Sequence, residues 1–558
     1  MQIFSEFLSK YKYHLAFLGL GIIYLFNLPL DVMDVDASQY ASISREMLEN
    51  KSFLEVYHRH QDYLDKPPLL FWLSSLSFYL FGISNIAYKL PAVLVILLGV
   101  YSTYRFSLMW YSKQKSLLAV LILCSSQALL LITNDIRTDG ILLGFVMFSI
   151  WQISAYLQNN AFKNLVLAAI GIAAALLSKG PIGLIIPVFA LGGHLALSRN
   201  WKAIFKPQWL ILLVIVGILL LPMCYGLYTQ FDLHPEKTAY GLKSPSGLRF
   251  FFWTQSFGRI TGEIYWDNGT SFFYFFHTIL WDFQPWILLF IPALILRFKQ
   301  LIQDKFKVLN NAEYITLCGF VLGFLALSKS NYKLPHYIFP LFPFASIITA
   351  NFLVDLSISK PKILAMIARG QFVLMSLFFV ILGISYFLFF PPTSLFHPIF
   401  WVLSASIFVM VFIKEKDSLT KTVFVSVIAI IFFGINTSTY LYPNLFQYQS
   451  TGNAGKYLLK ANIPIEKSYF YKEHGHSLDF YAQRIVNEAK IEDISKYPVG
   501  STIFTTLEGA IEIKKKDTHY KVIKGFDEYH ITALKLPFLL KSKRATMLKT
   551  NVLIQKVS

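Results

Sequence analysis

Charge is scarce in this chain: of 558 residues only 15% are Asp, Glu, Lys or Arg, against about 25% in soluble domains. With 55% hydrophobic and 17% aromatic residues and a mean hydropathy of +0.51, an ordinary water-soluble domain is excluded and a membrane protein is indicated. Cysteine is nearly absent. Cys124, Cys224 and Cys318 all fall inside apolar runs, which excludes a disulfide-stapled secreted fold. No internal repeat is found, which counts against a secondary transporter built from duplicated halves. Bases outnumber acids 50 to 32, a net charge of +18, and in a polytopic chain such cations mark cytoplasmic loops rather than a nucleic-acid surface.

What is present is apolar sequence in lengths of about 20 residues, the requirement for crossing a hydrocarbon core of roughly 30 Å. About thirteen such runs occur, near 14–30, 88–110, 116–133, 140–157, 164–178, 181–197, 208–228, 272–296, 313–328, 335–355, 370–390, 396–413 and 420–440. Alternate loops are basic: Arg105, Lys113 and Lys115, then Lys163, then Arg199, Lys202 and Lys206, then Arg297, Lys299, Lys305 and Lys307. Lys360, Lys362 and Arg369 follow, and finally Lys414, Lys416 and Lys421. A cytoplasmic N terminus satisfies the positive-inside rule. The first run is read as an uncleaved span, since it lacks a small-residue cleavage site.

An odd number of spans places 441–558 outside, together with loops 31–87 and 229–270. Residues 67–81 suit a helix lying in the membrane interface. The expected fold class is a membrane all-α bundle of about thirteen transmembrane helices over 1–440, followed by a small C-terminal α/β periplasmic domain over 441–558. Its strands are expected near 467–471, 502–506 and 551–557.

Charges that break the topology rule have no targeting explanation. Lys66, Arg137, Lys179, Arg259, Lys329 and Lys333 all fall on the outer side beside apolar helices. Each alone is explained by headgroup contact or helix capping; together they suit a lipid phosphate, to which tyrosine adds a further donor. Acids stand at the same depth: Asp31, Asp34 and Asp36 after the first span, and Asp135 and Asp139 around the start of the fourth. Asp139 doubles as a charge complementing a helix N-terminus. Asp36 precedes Tyr40, Ile43, Met47 and Leu48 at helical spacing, which predicts an amphipathic helix starting at or near Asp36. A carboxylate held in this way suits a general base or an acceptor-orienting group.

The run Asp34-Val35-Asp36-Ala37-Ser38-Gln39-Tyr40-Ala41, then Arg45-Glu46-Met47, then Tyr63-Leu64-Asp65-Lys66-Pro67-Pro68-Leu69 and Trp72, opens a longer pattern. It continues through Phe81-Gly82, Leu90-Pro91, Arg137-Thr138-Asp139, Ser178-Lys179-Gly180-Pro181, Gln284-Pro285-Trp286, Ser328-Lys329 and Lys333-Leu334-Pro335-His336-Tyr337-Ile338-Phe339-Pro340. Over roughly 1–345 this resembles the bacterial lipid A aminoarabinose transferases. They belong to the GT-C-type polyprenyl-phosphate-dependent glycosyltransferases that also include protein O-mannosyltransferases.

The resemblance implies a glycosyltransferase of the bacterial inner membrane, with active site and C-terminal domain facing the periplasm. Its donor would be a sugar, 4-amino-4-deoxy-L-arabinose among the candidates, on undecaprenyl phosphate; its acceptor lipid A or another envelope glycan or protein. Asp36 and Asp139 would be the catalytic acids, Lys66 and Tyr337 would hold the carrier phosphate, and Lys333 and Arg259 would assist. Direct attack would invert the anomeric carbon. The missing Rossmann glycine fingerprint agrees with a lipid-linked donor. Membrane lipids are expected partners and nucleic acid is not.

The pattern departs from the family in places. Ala37 stands where many relatives carry a second acid, and Asp65 and Ser256 stand where close aminoarabinose transferases have metal-binding Glu and His. Zinc favours His and Cys, so no metal ligand is carried over, no cofactor is expected, and a divalent ion lacks support in the ligand residues. Protein O-mannosylation is the rival within the enzyme class. A polytopic lipid transporter or flippase, or a non-catalytic envelope assembly protein, is the rival outside it.

Overall fold

The computed structural model describes residues 2–261, 263, 268–308 and 312–558, with the side chains of 2–10, 259 and 260 outside the description. Among the described residues, eight helices are long and apolar enough to cross a membrane, or nine when the bent pair Lys113–Cys124 and Gln127–Asn134 counts as one span. That pair bends by 52° at Ser125 and Ser126, whose hydroxyls donate back to the carbonyls of Leu121 and Leu123 at 2.6 and 2.7 Å. Of the remaining runs read as spans, that near 14–30 falls mostly in the unbroken 26-residue helix Gln2–Asn27, and the others are short or broken. Ile182–Leu197 and Ile315–Ser328 fall below span length, the former carrying a π segment, Val188–Gly192, after Pro187. Residues 274–303 form two helices broken around Pro285.

The helix Thr138–Asn159 runs through the middle of the bundle, packed against Asn85–Leu108 and Phe162–Lys179. Glycine brings two of these backbones together. A Cβ added to Gly144 would sit 2.3 Å from the carbonyl oxygen of Val95, and one on Gly99 would sit 2.8 Å from Gly144 Cα. Small residues at such a crossing substitute van der Waals contact for the hydrophobic drive that lipid cannot supply.

Outside the bundle, the helix Asp36–Asn50 places Asp36 in its first turn and ends at Lys51 in the left-handed conformation. The amphipathic expectation is corrected here. Ser38, Ser42, Ser44, Arg45 and Glu46 are buried along with Tyr40, Ile43 and Met47, because the helix is gripped between Leu69–Phe81 and the C-terminal helix His476–Ala482. The 13 residues of Leu69–Phe81 rise about 20 Å, less than the membrane core. Leu76, Tyr79, Leu80 and Phe81 are exposed, as a helix along the interface requires.

The C-terminal unit is a five-stranded mixed sheet in the order Asn487–Glu488, Ser468–Tyr471, Thr502–Thr506, Lys549–Lys556, Tyr520–Glu528, the first three parallel and the last two antiparallel. Three of the strands fall where the apolar runs place them. The unit is fastened to the outer loop: Asp34 N donates to Gln449 Oε1 at 2.9 Å, Gln449 Nε2 donates to Val32 O at 3.0 Å, and Val32 N donates to Tyr481 Oη at 2.7 Å.

Candidate active site

Five elements converge at one end of the bundle. The first turn of Asp36–Asn50 brings Asp36, the Asp65-Lys66-Pro67-Pro68 segment brings Asp65 and Lys66, and the start of Thr138–Asn159 brings Asp139 with Arg137 just before it. The last turn of Phe162–Lys179 brings Lys179, and the 3-10 segment Pro335–Leu341 brings His336 and Tyr337. Proline sets both loop-like pieces: with its fixed φ and no donor, it holds the segment at Pro335 out of the following α-helix.

These side chains enclose a cavity of about 240 Å³, to which Tyr40 and Tyr240 also contribute. A second, mainly apolar cavity of about 130 Å³, walled by Leu142, Ile182, Ile185 and Phe257, adjoins it. Lys66, Lys179 and Tyr337 line both. A polar chamber and an apolar channel thus meet at two cations and a phenol, an arrangement suited to an anionic head with a hydrocarbon tail.

Each acid has a cationic partner. Arg137 pairs with Asp36 and donates from Nε to Asp135 at 2.7 Å. Burial opposes the guanidinium charge, but Asp135 and Asp36 hold its pKa above the ordinary value. Lys179 pairs with Asp139 and stands 3.5 Å from the centroid of the Tyr337 ring. Asp139 is buried, and His336 Nε2 lies 3.7 Å from its other oxygen. Lys66 contacts Asp65 at 2.5 Å, and Gln255 Nε2 donates to the second Asp65 oxygen at 3.0 Å. Burial, reinforced by Asp36 and Asp65, raises the Tyr40 pKa far above its usual value, and burial with Asp65 raises that of Tyr240. Both phenols therefore remain neutral donors.

Of the residues singled out in the sequence, the structure brings Asp36, Asp139, Lys66 and Tyr337 to one cavity. Lys333 stands apart from the described wall: it is buried, with Nζ donating to the Thr270 carbonyl at 3.0 Å. Arg259 falls in the short helix Gly258–Thr261 and its side chain lies outside the described residues. Arg137 and Lys179 were visible as misplaced cations, but their pairing with acids 101 and 40 positions away was not. His336 lay inside a quoted motif. Tyr40 lay inside the first motif run, where it read only as part of a helical face, and nothing in the local sequence of Tyr240 marked it.

A family model described as dolichyl-phosphate-mannose-protein mannosyltransferase matches residues 65–225. An uncharacterized protein of Aquifex aeolicus (strain VF5) is 26% identical over 481 residues, 85% of this chain and 87% of its own length. The undecaprenyl phosphate-alpha-4-amino-4-deoxy-L-arabinose arabinosyl transferase of Wigglesworthia glossinidia brevipalpis is 26% identical over 355 residues, 62% of this chain. The match spans only 59% of that relative's length. Among solved structures, ArnT from Cupriavidus metallidurans bound to undecaprenyl phosphate superposes with a TM-score of 0.70 at 15% identity, covering 98% of both chains. The fold is that of the GT-C-type membrane glycosyltransferases. Within that type, the sequence resembles the polyprenyl-phosphate-dependent enzymes.

The sequence departures at positions 65 and 256 raise the question of a metal there. Both Asp65 oxygens are engaged, by Lys66 and Gln255, and Ser256 is a poor ligand for zinc. A cation there would have to displace an ammonium group, so the donor set does not fit one and no step is assigned to a metal.

Proposed function

We propose that this chain transfers a sugar from an undecaprenyl-phosphate carrier to lipid A or another envelope glycan at the periplasmic face of the inner membrane. 4-Amino-4-deoxy-L-arabinose is the leading candidate for the sugar. The observation that carries the reading is the shared border of the two cavities, where Lys66, Lys179 and Tyr337 face both a polar chamber and an apolar channel. The carrier phosphate sits at that border with the prenyl chain in the channel. On this reading the chain crosses the membrane thirteen times. The additional crossings are Gln2–Asn27, Ile182–Leu197, 274–303 and Ile315–Ser328. The transferase part occupies 1–440 with outer loops 31–87 and 229–270, and 441–558 form the periplasmic domain.

In the transfer step an acceptor oxygen bonds to the anomeric carbon from the side opposite the phosphate and inverts it. The bond from that carbon to the phosphate oxygen breaks, and its electron pair leaves with the phosphate. Asp36 receives or orients the acceptor proton. Lys66 and Lys179 meet the charge that grows on the departing phosphate in a partly enclosed cavity, where fixed cations act more strongly than in open water. Asp139 holds Lys179 in place, and Arg259 is kept as an assisting cation for the phosphate.

The test is sugar transfer by the purified full chain in detergent, with an undecaprenyl-phosphate sugar as donor, lipid A as acceptor and mass spectrometry as readout. A sugar-sized mass increase on lipid A is expected; no transfer from any such donor would overturn the reading. The mannosyltransferase match over 65–225 favours a second reading, protein O-mannosylation. It would be supported by hexose on envelope proteins with lipid A unchanged.

A further inference from the structure

A cavity of about 340 Å³ opens at the far end of the bundle, on a wall that includes Trp110, Ser154, His194, Asn200, Lys202 and Lys206. Ser154 shares the helix Thr138–Asn159 with Asp139 and lies roughly 22 Å further along it at 1.5 Å per residue. Arg105, Lys113, Lys163 and Arg199 flank this end, the signature of the cytoplasmic face.

The polar part of the described wall is rich in donors. It contains two lysines and no carboxylate. Lys206 donates to Asn160 Oδ1 at 2.7 Å, while Lys202 is exposed and has no charge partner among the described residues. His194 Nδ1 accepts the Tyr314 backbone N–H at 3.2 Å, which leaves the proton of the neutral ring on Nε2. Two further wall residues carry buried polar atoms with no hydrogen-bond partner: the Ser154 hydroxyl and the Trp110 indole N–H. Such groups are costly when left unpaired, so a ligand that meets them is favoured. Leu157, Leu195, Val308 and Ile315 supply an apolar flank.

We infer that this cavity binds the phosphate of an anionic phospholipid of the cytoplasmic leaflet. Lysines with buried donors meet the phosphate, the apolar flank meets the glycerol and upper acyl carbons, and basic pockets between membrane helices on this side suit such headgroups. The site is separate from the outer cavity and does not depend on the transfer reading.

The full chain in uncharged detergent is titrated with dioleoyl-phosphatidylglycerol, dioleoyl-phosphatidylcholine or inorganic phosphate, with thermal melting and native mass spectrometry as readouts. Phosphatidylglycerol is expected to raise the melting temperature and remain bound, and the other two are not. Lys202→Ala/Lys206→Ala should weaken phosphatidylglycerol binding at least tenfold while undecaprenyl-phosphate binding stays unchanged. A control, Lys299→Ala/Lys362→Ala, removes two other inner-side cations and should retain it. Equal binding by the first double variant, or equal loss in the control, would overturn the site. Equal stabilisation by inorganic phosphate would overturn the lipid source.

Discussion

Lys179 serves two neighbours, and removing it would affect each differently. Its ammonium pairs with Asp139, whose side chain is 2% exposed, so a neutral residue at 179 strands a buried carboxylate. Breaking a buried pair typically costs about 3–5 kcal/mol, whereas replacing both members is far milder. Lys179→Met should therefore melt well below the native chain, and Asp139→Asn/Lys179→Met should recover much of the difference. The second neighbour is the face of Tyr337, 3.5 Å away, where a cation–π contact contributes about 0.5–2 kcal/mol. Tyr337→Phe keeps that face and Tyr337→Leu removes it, so Leu should weaken carrier binding more than Phe. Lys66→Ala should weaken carrier binding by roughly 1.5–3 kcal/mol, the range for hydrogen bonds to charged groups, as read by titration with undecaprenyl phosphate. At Asp36, substitution by Asn preserves shape while removing the base. Turnover should fall about 10²- to 10⁴-fold with carrier binding intact; native turnover would remove Asp36 from the mechanism.

Among the elements, the hairpin formed by Tyr57–His58 and Gln61–Asp62 ties the outer loop to the C-terminal unit. Arg59 pairs with Asp479 and donates from Nη2 to Val486 O at 2.9 Å. Asp479 is fully buried, yet His474 and Arg59 hold its pKa below the usual value despite that burial. Asp479→Asn should cost about 3 kcal/mol, the low end for a broken buried pair because Arg59 retains some exposure, and should expose the junction to protease. Glu528 tests the same unit by pH. Burial, helped by Glu473 and Asp34, raises its carboxyl to about 7, so between about 4.5 and about 7 the folded chain holds a proton that the unfolded chain has released. That contribution favours folding at the acid end and fades as pH rises to 7. Glu528→Gln should flatten the melting temperature between about pH 5 and 7; an unchanged profile would refute the burial argument. The strands at 468, 502 and 549 were legible because buried strands read as apolar runs. Tyr520–Glu528 was not, since it is an edge strand with Lys521 and Lys524 exposed and a register shift between Val522 and Lys524. The burial of Asp36–Asn50 was also hidden: the helix that covers it, His476–Ala482, begins 426 positions after Asn50, and only the tertiary structure shows that Arg45 and Glu46 face protein rather than water.

For the whole molecule, orientation is the property most open to test. A reporter enzyme fused after Phe446, where the last apolar helix ends, should behave as periplasmic. Cytoplasmic activity would invert the bundle and exchange the two cavities' leaflets. The outer cavity's depth follows from the same alternation of basic loops that exposed Arg137 and Lys179 as misplaced, so orientation and site rest on one pattern. A different kind of vulnerability arises at the crossing of Gly99 and Gly144. Gly144 lies five residues along the helix that begins beside Arg137 and carries Asp139, and a methyl there meets the Val95 carbonyl. A side chain added there, about 9 Å from the start of the helix, should act as a wedge that tilts its first turns and shifts the acid that holds Lys179. Damaging substitutions should therefore occur among featureless glycines of the spanning helices, where they would resemble catalytic defects in a chain that still inserts and folds and in which no cavity-lining residue has been replaced.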